Sequence, residues 1–252
     1  MPSSAHPISH VFVIVMENKS YAQAMSGPYT ASLANQYALA TNYYAISHPS
    51  LPNYLALTSG RTWGIADDGY HALPACGIGQ QLKSAGVLWR GYMESMNNSC
   101  FNSGYPYALK HNPFAYYGTY YGGSCPDIYS TAPLQSDLNG TTPWLVWITP
   151  NLCNDTHDCP VSTGDSWLSH MVPEITNSAA WQQNGVLFIT WDEDNGAAGN
   201  HVATIIVAPN LTRHTTDQAY NHYSLLATAE DRLGVPRLAS AAGATPINDV
   251  FR

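Results

Sequence analysis

Three apolar runs constrain the fold most: "HVFVIVM" (10–16), "PWLVWITP" (143–150) and "GVLFITWDED" (185–194). They show no alternation of apolar and polar residues. Such runs read as strands buried on both faces, which belong to parallel sheets covered by helices. Each run ends abruptly in polar residues. Glu17 and Asn18 follow the first. Asn151, Asn154, Asp155, His157 and Asp158 follow the second. Asp192, Glu193, Asp194 and Asn195 follow the third.

Helical segments separate these strands. "PYTASLANQYALA" (28–40) has helical spacing of Leu33, Tyr37 and Leu39. "SLPNYLALTSG" (50–60) reads as a short helix with Ser50 at its entrance, Pro52 in its first turn and Gly60 closing it. "GIGQQLKSAG" (77–86) is a further helix, and "SWLSHMVPEITNSAAWQ" (166–182) is one that kinks or restarts at Pro173. "HYSLLATAEDRLGVP" (222–236) carries Gly and Pro stop signals. "VLWRGYM" (87–93) and "HVATIIVAP" (201–209) read as two more strands. This alternation predicts an α/β fold: a three-layer α/β/α sandwich with a mostly parallel central sheet. Residues 96–140 are rich in Asn, Gly, Ser, Tyr and Pro and read as a long excursion, which in a compact domain usually serves function. With no internal repeat and no linker, residues 1–252 are expected to form one domain.

In an open parallel sheet, ligands bind beyond the carboxyl ends of the strands. Parallel pairing would bring all three polar clusters to one rim. Glu17, Asp192 and Glu193 would then crowd three carboxylates together, which requires a cation or shared protons. Oxygen donors suit Ca²⁺, Mg²⁺ or Mn²⁺. "DEDNG" (192–196) fails the EF-hand spacing, because Gly196 stands where the third acidic ligand belongs. Ser50 supplies a nucleophile at a helix start, where free N–H groups favour an anion and a bound metal would activate the hydroxyl.

The remaining sequence bounds the partners. The formal charge is −8 with nine Lys and Arg, and no basic stripe is present, so nucleic acid is not expected. No apolar run is long enough to span a membrane. Five cysteines occur: Cys76, Cys100, Cys125, Cys153 and Cys159. Cys153 and Cys159 are spaced to close a short loop. A zinc site with His157 lacks a fourth ligand at motif spacing, so a disulfide is expected there. The pairing of the others stays open, with one left over. Sequons at Asn18, Asn97, Asn139, Asn154 and Asn210 add to an expected oxidising compartment, secreted or periplasmic. No signal peptide is read at the N-terminus.

Read together, "VFVIVMENKSY", "HPSLPNYLALTSG", "KHNPF", "PNLCNDTHDC", "ITWDED" and "HYSLLATAEDRLG" resemble the successive blocks of the acid phosphatase and phospholipase C type phosphoesterase family, within the alkaline-phosphatase superfamily. The resemblance covers residues 10–236 and implies an alkaline-phosphatase-like fold. It implies one divalent metal, Ca favoured and Mg, Mn or Zn allowed, held by Glu17, Asn18, Ser50, Asp192 and Glu193. Ser50 resembles the nucleophile that becomes a phosphoserine, and Asn53 the amide that holds a phosphoryl oxygen. His111 and His157 resemble phosphate-contacting histidines, the latter a general acid. Glu193 stands where the wider superfamily has a histidine, which favours a single metal. Asp155, His201 and His222 are the candidate ligands if a second metal binds.

The shortness of the chain, Ser50 where the larger phospholipases usually have Thr, and "PNY" where they usually have "PNR" favour an acid phosphatase acting on monoesters. Phospholipase C, with transient contact to a lipid surface, is the alternative, and a non-catalytic, metal-stabilised binding protein is a third. The Tyr-rich stretch 105–123 reads either as a lipid or choline pocket or as a packed loop.

Overall fold

The computed structural model describes residues 7–97, 99–118 and 125–251. Strand β1 is His10–Met16, followed by α1 (Tyr21–Ala24) and α2 (Pro28–Gln36). Strands β2 (Ala38–Ala40) and β3 (Tyr43–Tyr44) lead to α3 (Ser50–Ser59), α4 (Ile78–Ser84) and β4 (Trp89–Met93). The excursion holds two 3₁₀ turns, Leu109–His111 and Pro113–Tyr116, then β5 (Ile128–Tyr129) and α5 (Leu134–Asn139). After β6 (Leu145–Thr149) come α6 (Val161–Thr176), α7 (Ala179–Gln182), β7 (Gly185–Trp191) and β8 (Thr204–Val207). Strands β9 (His214–Thr216) and β10 (Tyr220–Asn221) and helix α8 (His222–Leu233) complete the regular elements used below.

The central sheet has the order β5-β4-β6-β1-β7-β8-β2-β9. Strands β6, β1 and β7 lie side by side and parallel, with Ile14 opposite both Ile148 and Ile189. Residues 11–16 are at most 1 % exposed, as expected for a strand covered on both faces. Helices α3, α4 and α8 pack together, while α2, α5, α6 and α7 form a second group. The result is the expected α/β architecture with the three polar strand ends on one rim.

One strand of the eight runs backwards. β8 pairs antiparallel with both β7 and β2. The link from β7 to β8, residues 192–203, contains no helix. Without a crossover element the chain can only turn back beside the strand it left. The helix expected over 28–40 ends at Gln36, and Leu39 instead pairs within the sheet, opposite Ile205 and Thr215. Helix α6 starts at Val161 and runs through Pro173 to Thr176. The restart falls at α7, where the Ser178 hydroxyl caps Trp181 N–H at 3.2 Å.

Local sequence explains the helix carrying Ser50. Pro49 precedes it with extended backbone, and all ten residues of α3 are buried. Gly60 stops it at φ +68, a conformation that suits glycine. A Cβ there would also meet Leu238 O at 2.4 Å. Helix α2 is capped from a distance. Asp165 accepts from Tyr29 N–H (2.9 Å), Thr30 N–H (2.8 Å) and Thr30 Oγ1–H (2.8 Å). Disulfides join Cys100 to Cys125 and Cys153 to Cys159, leaving Cys76 as a free thiol.

Candidate active site

Backbone bonds fix the rim first. Glu17 N–H donates to Asp155 O at 2.8 Å, and Asp192 N–H donates to Met16 O at 2.9 Å. The residues just past β1 and β7 are thereby tied to each other and to the loop that follows β6. Asn18 then turns with φ +48, a left-handed conformation that Asn tolerates better than most residues. That turn aims its N–H at Asp192 Oδ1 (3.2 Å) and its Nδ2–H at Glu193 Oε1 (3.0 Å).

Ser50 is the first helical residue of α3 and is fully buried. Its Oγ lies 3.1 Å from Glu17 Oε2 and 3.2 Å from Glu193 Oε1. The Tyr54 hydroxyl, one turn along the same helix, donates to Glu17 Oε1. The tyrosine of "PNY" thus reaches the carboxylate at the end of β1.

Acidic groups this close are held far from their ordinary titration. Burial, then the charges of Asp192 and Asp155, push Glu17 well above the carboxylate range. Burial pushes Asp155 up to about 8. Burial and then Glu193 push Asp192 up to about 7. Glu193 is raised chiefly by burial, with His48 opposing. Such a cluster ionises fully at neutral pH only beside positive charge.

A divalent cation would relieve this crowding. Asn18 Oδ1 and Asp192 Oδ2 are buried acceptors that meet no donor. With Glu17, Glu193 and the Ser50 hydroxyl they form a set of hard oxygen donors. A second group is adjacent: ligand atoms of Glu17, His111 and Asp155 all lie within 4.8 Å of one another. His111 Nε2 is 3.4 Å from Glu17 Oε1, and its Nδ1 is 3.3 Å from Asp155 Oδ2. The ring is buried, and burial, then the charges of Lys110 and His157, holds its pKa well below the ordinary value. His157 is partly open, with Nδ1 2.6 Å from Asp158 Oδ1 and Nε2 3.3 Å from Lys110 Nζ.

Three expected ligands face elsewhere. Asn53 has no group left for a phosphoryl oxygen. Its Oδ1 accepts from Ile46 N–H and Ser47 N–H, both at 2.9 Å. Its Nδ2 donates to Ser47 O (2.8 Å) and Pro49 O (3.2 Å). Asn53 therefore braces the loop that delivers Ser50. His222 is spent likewise, between the Asp192 carbonyl (2.6 Å) and the Tyr43 hydroxyl (3.0 Å). It supports Asp192 from behind instead of offering a metal ligand. His201 stacks between Tyr21 and Tyr44 and bonds the Thr41 carbonyl at 2.9 Å.

Sequence reading missed His48, Tyr54, Asp68 and Lys110. His48 contacts Glu193 Oε2, and its Nε2 is 3.3 Å from Asp194 Oδ1. His48 and Tyr54 flank the Ser50 block and Lys110 sits inside "KHNPF", so their neighbourhood was visible but not their contacts. Asp68 lies in a stretch without periodicity and offered no signal. Of the Tyr-rich stretch, Tyr116 lines a cleft of about 380 Å³ beside His157, while Tyr107 and Tyr117 are buried. Residues 119–123 lie outside the described residues.

Comparison with known proteins adds the following. The model of the Phosphoesterase family matches residues 23–236. This span includes Ser50, Lys110, His111, Asp155, His157, Asp192 and Glu193, while Glu17 and Asn18 precede it. A phosphatidylinositol-3-phosphatase of Mycobacterium tuberculosis is 33% identical, over 100% of this chain and 86% of that protein. An acid phosphatase of Aspergillus fumigatus is 29% identical, over 90% of this chain and 55% of that protein. A phosphate-repressible acid phosphatase of Penicillium chrysogenum is 28% identical, over 89% of this chain and 59% of its own length. The chain thus spans little more than half of these two fungal relatives. In fold, it is similar to a solved protein of the alkaline phosphatase superfamily from Vibrio parahaemolyticus. That likeness has a TM-score of 0.68 at 14% identity, over 97% of this chain and 74% of the other.

Proposed function

This chain belongs to the phosphoesterase family, hydrolases that act on phosphoric esters, and on that premise we propose that it is a metal-dependent phosphatase cleaving monoesters through Ser50. The observation that carries the reading is the Ser50 hydroxyl set between Glu17 and Glu193 at the start of α3. A serine that only capped a helix would not be aimed at two buried carboxylates.

In this reading Glu17, Asn18, Ser50, Asp192 and Glu193 hold one divalent cation, Ca²⁺ favoured. The bound cation supplies positive charge for a phosphoryl oxygen and lowers the pKa of the serine hydroxyl. The chain's own groups do the rest. Ser50 Oγ passes its proton to the Glu17 or Glu193 carboxylate it faces and attacks phosphorus in line, the bond to the leaving oxygen breaks, and a phosphoserine forms; the proton returns to Ser50 when the phosphoserine is hydrolysed. The N-terminal end of the α3 dipole favours the same anion. His157, at the open side, gives its proton to the leaving alcohol, and water then hydrolyses the phosphoserine with the same ring as base. An acidic optimum belongs to this reading, in line with the acid phosphatases among the relatives. His111 is assigned to hold the phosphoryl group or a second cation from between Glu17 and Asp155.

The whole chain acts as one catalytic unit in this reading. Its two disulfides support a secreted or periplasmic place of action. The net charge of −8 speaks against nucleic acid as substrate. Among the described residues no helix is long and apolar enough to cross a membrane. A lipid monoester is the second substrate to test, because the 33% identical relative is a phosphatidylinositol-3-phosphatase. Transient contact with a lipid surface is enough for that substrate.

The test is hydrolysis of p-nitrophenyl phosphate, p-nitrophenyl phosphorylcholine and phosphatidylinositol 3-phosphate vesicles across pH, with and without a chelator. Chelator-sensitive monoester turnover that disappears in folded Ser50→Ala is expected. Preference for the choline diester assigns phospholipase C instead. Full activity of Ser50→Ala removes the nucleophile, and an inactive wild type with bound cation leaves a binding protein.

A further inference from the structure

One charged group beside Ser50 has no part in the reaction as drawn. Leu51 N–H, in the first turn of α3, donates to Asp68 Oδ1 at 3.0 Å. The other oxygen of the same carboxylate, Asp68 Oδ2, accepts from Lys110 Nζ at 3.0 Å. Lys110 Nζ is also 3.3 Å from His157 Nε2. Both side chains are only partly exposed, Asp68 at 30 % and Lys110 at 22 %. They line the cleft of about 380 Å³ together with His157 and Tyr116.

The pair belongs electrostatically to the rim. Glu17, Asp68 and Asp192 all act on the Lys110 ammonium and raise its pKa against burial. Asp68 in turn adds to the negative field on Glu193. The Asp68 carboxylate thus adds to the acids of the rim, beside Glu193. It is kept there by two donors, a helix-start N–H and an ammonium. Those two donors are the pair that a phosphoryl group bound next to Ser50 needs.

We propose that Asp68 is a placeholder for the substrate's phosphate, and that Lys110 is the residue that binds a phosphoryl oxygen once Asp68 is displaced. Lys110 then gives the site its preference for the dianion of a monoester over the monoanion of a diester, standing in for a second cation. Displacement also removes one carboxylate from the neighbourhood of Glu193. With phosphate between them, Lys110 no longer donates to His157 Nε2, which frees that nitrogen to carry the proton for the leaving group. This inference rests on the phosphatase reading for its substrate, but its two donors are testable by binding alone.

The experiment is titration of the full chain with inorganic phosphate, by calorimetry and as a competitive inhibitor. Wild type is compared with Asp68→Asn, Lys110→Met and Lys110→Arg, each first checked by thermal unfolding. Asp68→Asn is expected to tighten phosphate binding by roughly three- to tenfold, since an internal competitor for Leu51 N–H and Lys110 is weakened. Lys110→Met is expected to weaken it by roughly ten- to a hundredfold, as for loss of a charge-assisted hydrogen bond, and Lys110→Arg to restore most of it. Lys110→Met is also expected to lower kcat/KM for p-nitrophenyl phosphate more than for p-nitrophenyl phosphorylcholine. A merely structural Asp68 would lower the unfolding temperature without tightening phosphate. Unchanged or weaker phosphate binding in folded Asp68→Asn overturns the placeholder, and unchanged binding in Lys110→Met overturns the role of the lysine. If the wild type binds phosphate with the expected pattern but turns over no monoester, the inference stands and the phosphatase reading falls.

Discussion

Glu230 offers a stability prediction that is independent of the active site. Its carboxyl is fully buried in α8. Oε1 accepts from Leu238 N–H at 2.9 Å, while Oε2 meets no donor. Burial, with Asp231 adding, pushes its pKa from 4.5 up to about 8 against the opposing Leu238 N–H and Arg237. The sign follows from linkage. Below the unfolded value near 4.5 both states are protonated and the carboxyl costs nothing extra. As pH rises towards 8 the unfolded chain ionises first, so stability is lost through that window and levels off above it. At about 1.4 kcal/mol per pH unit the ceiling is about 5 kcal/mol, and local relaxation leaves about 2–4 kcal/mol. Glu230→Gln removes the titration while keeping the shape. Any cost of the new amide N–H is the same at every pH, so the difference between variant and wild type isolates the carboxyl. Denaturant unfolding from pH 4 to 9 is expected to show Glu230→Gln gaining about 2–4 kcal/mol on wild type between pH 4 and pH 8. Parallel pH profiles for the two proteins would refute the reasoning, because Glu230 would then titrate alike in both states.

Three further expectations follow from the geometry. Asp165→Ala removes the acceptor of three hydrogen bonds at the start of α2 and is expected to cost about 2–3 kcal/mol in denaturant unfolding. An unchanged midpoint would show that α2 needs no cap. Tyr54→Phe removes the hydroxyl that orients Glu17 and is expected to weaken Ca²⁺ by roughly ten- to a hundredfold in a calorimetric titration; equal affinity would take Tyr54 out of the site. Ca²⁺ at about a hundred times its dissociation constant is expected to stabilise the wild type by about 2.7 kcal/mol, and Asp192→Asn to lose most of that gain. A cation that leaves the unfolding midpoint unmoved would argue for shared protons among the acids.

The division between local and long-range information runs through particular residues. The apolar runs that became β1, β6 and β7 were legible because a strand buried on both faces leaves no polar positions. The acids after them were legible as a rim because parallel strands end on the same side. Ser50 and Gly60 marked α3 by helix-end chemistry that needs only a few neighbouring residues. The turning back of β8 was not legible, since it depends on where an irregular link finds room. Leu39 fitted a helical spacing locally, and pairing with β8 and β9 overrode it. The histidines were equally opaque, because an imidazole's role depends on which atoms meet its two nitrogens. His111 met two carboxylates, His222 a carbonyl and a tyrosine, and His201 two aromatic rings. Asn53, three residues after Ser50, turned its amide into the loop instead of the cleft. By itself the sequence determined the buried strands, the acids that end them and the serine at a helix start, because short-range periodicity and end chemistry encode these. Only the tertiary structure decided that Asp68, Lys110 and His157 meet beside Ser50, because contacts between segments up to 47 residues apart depend on how the layers pack.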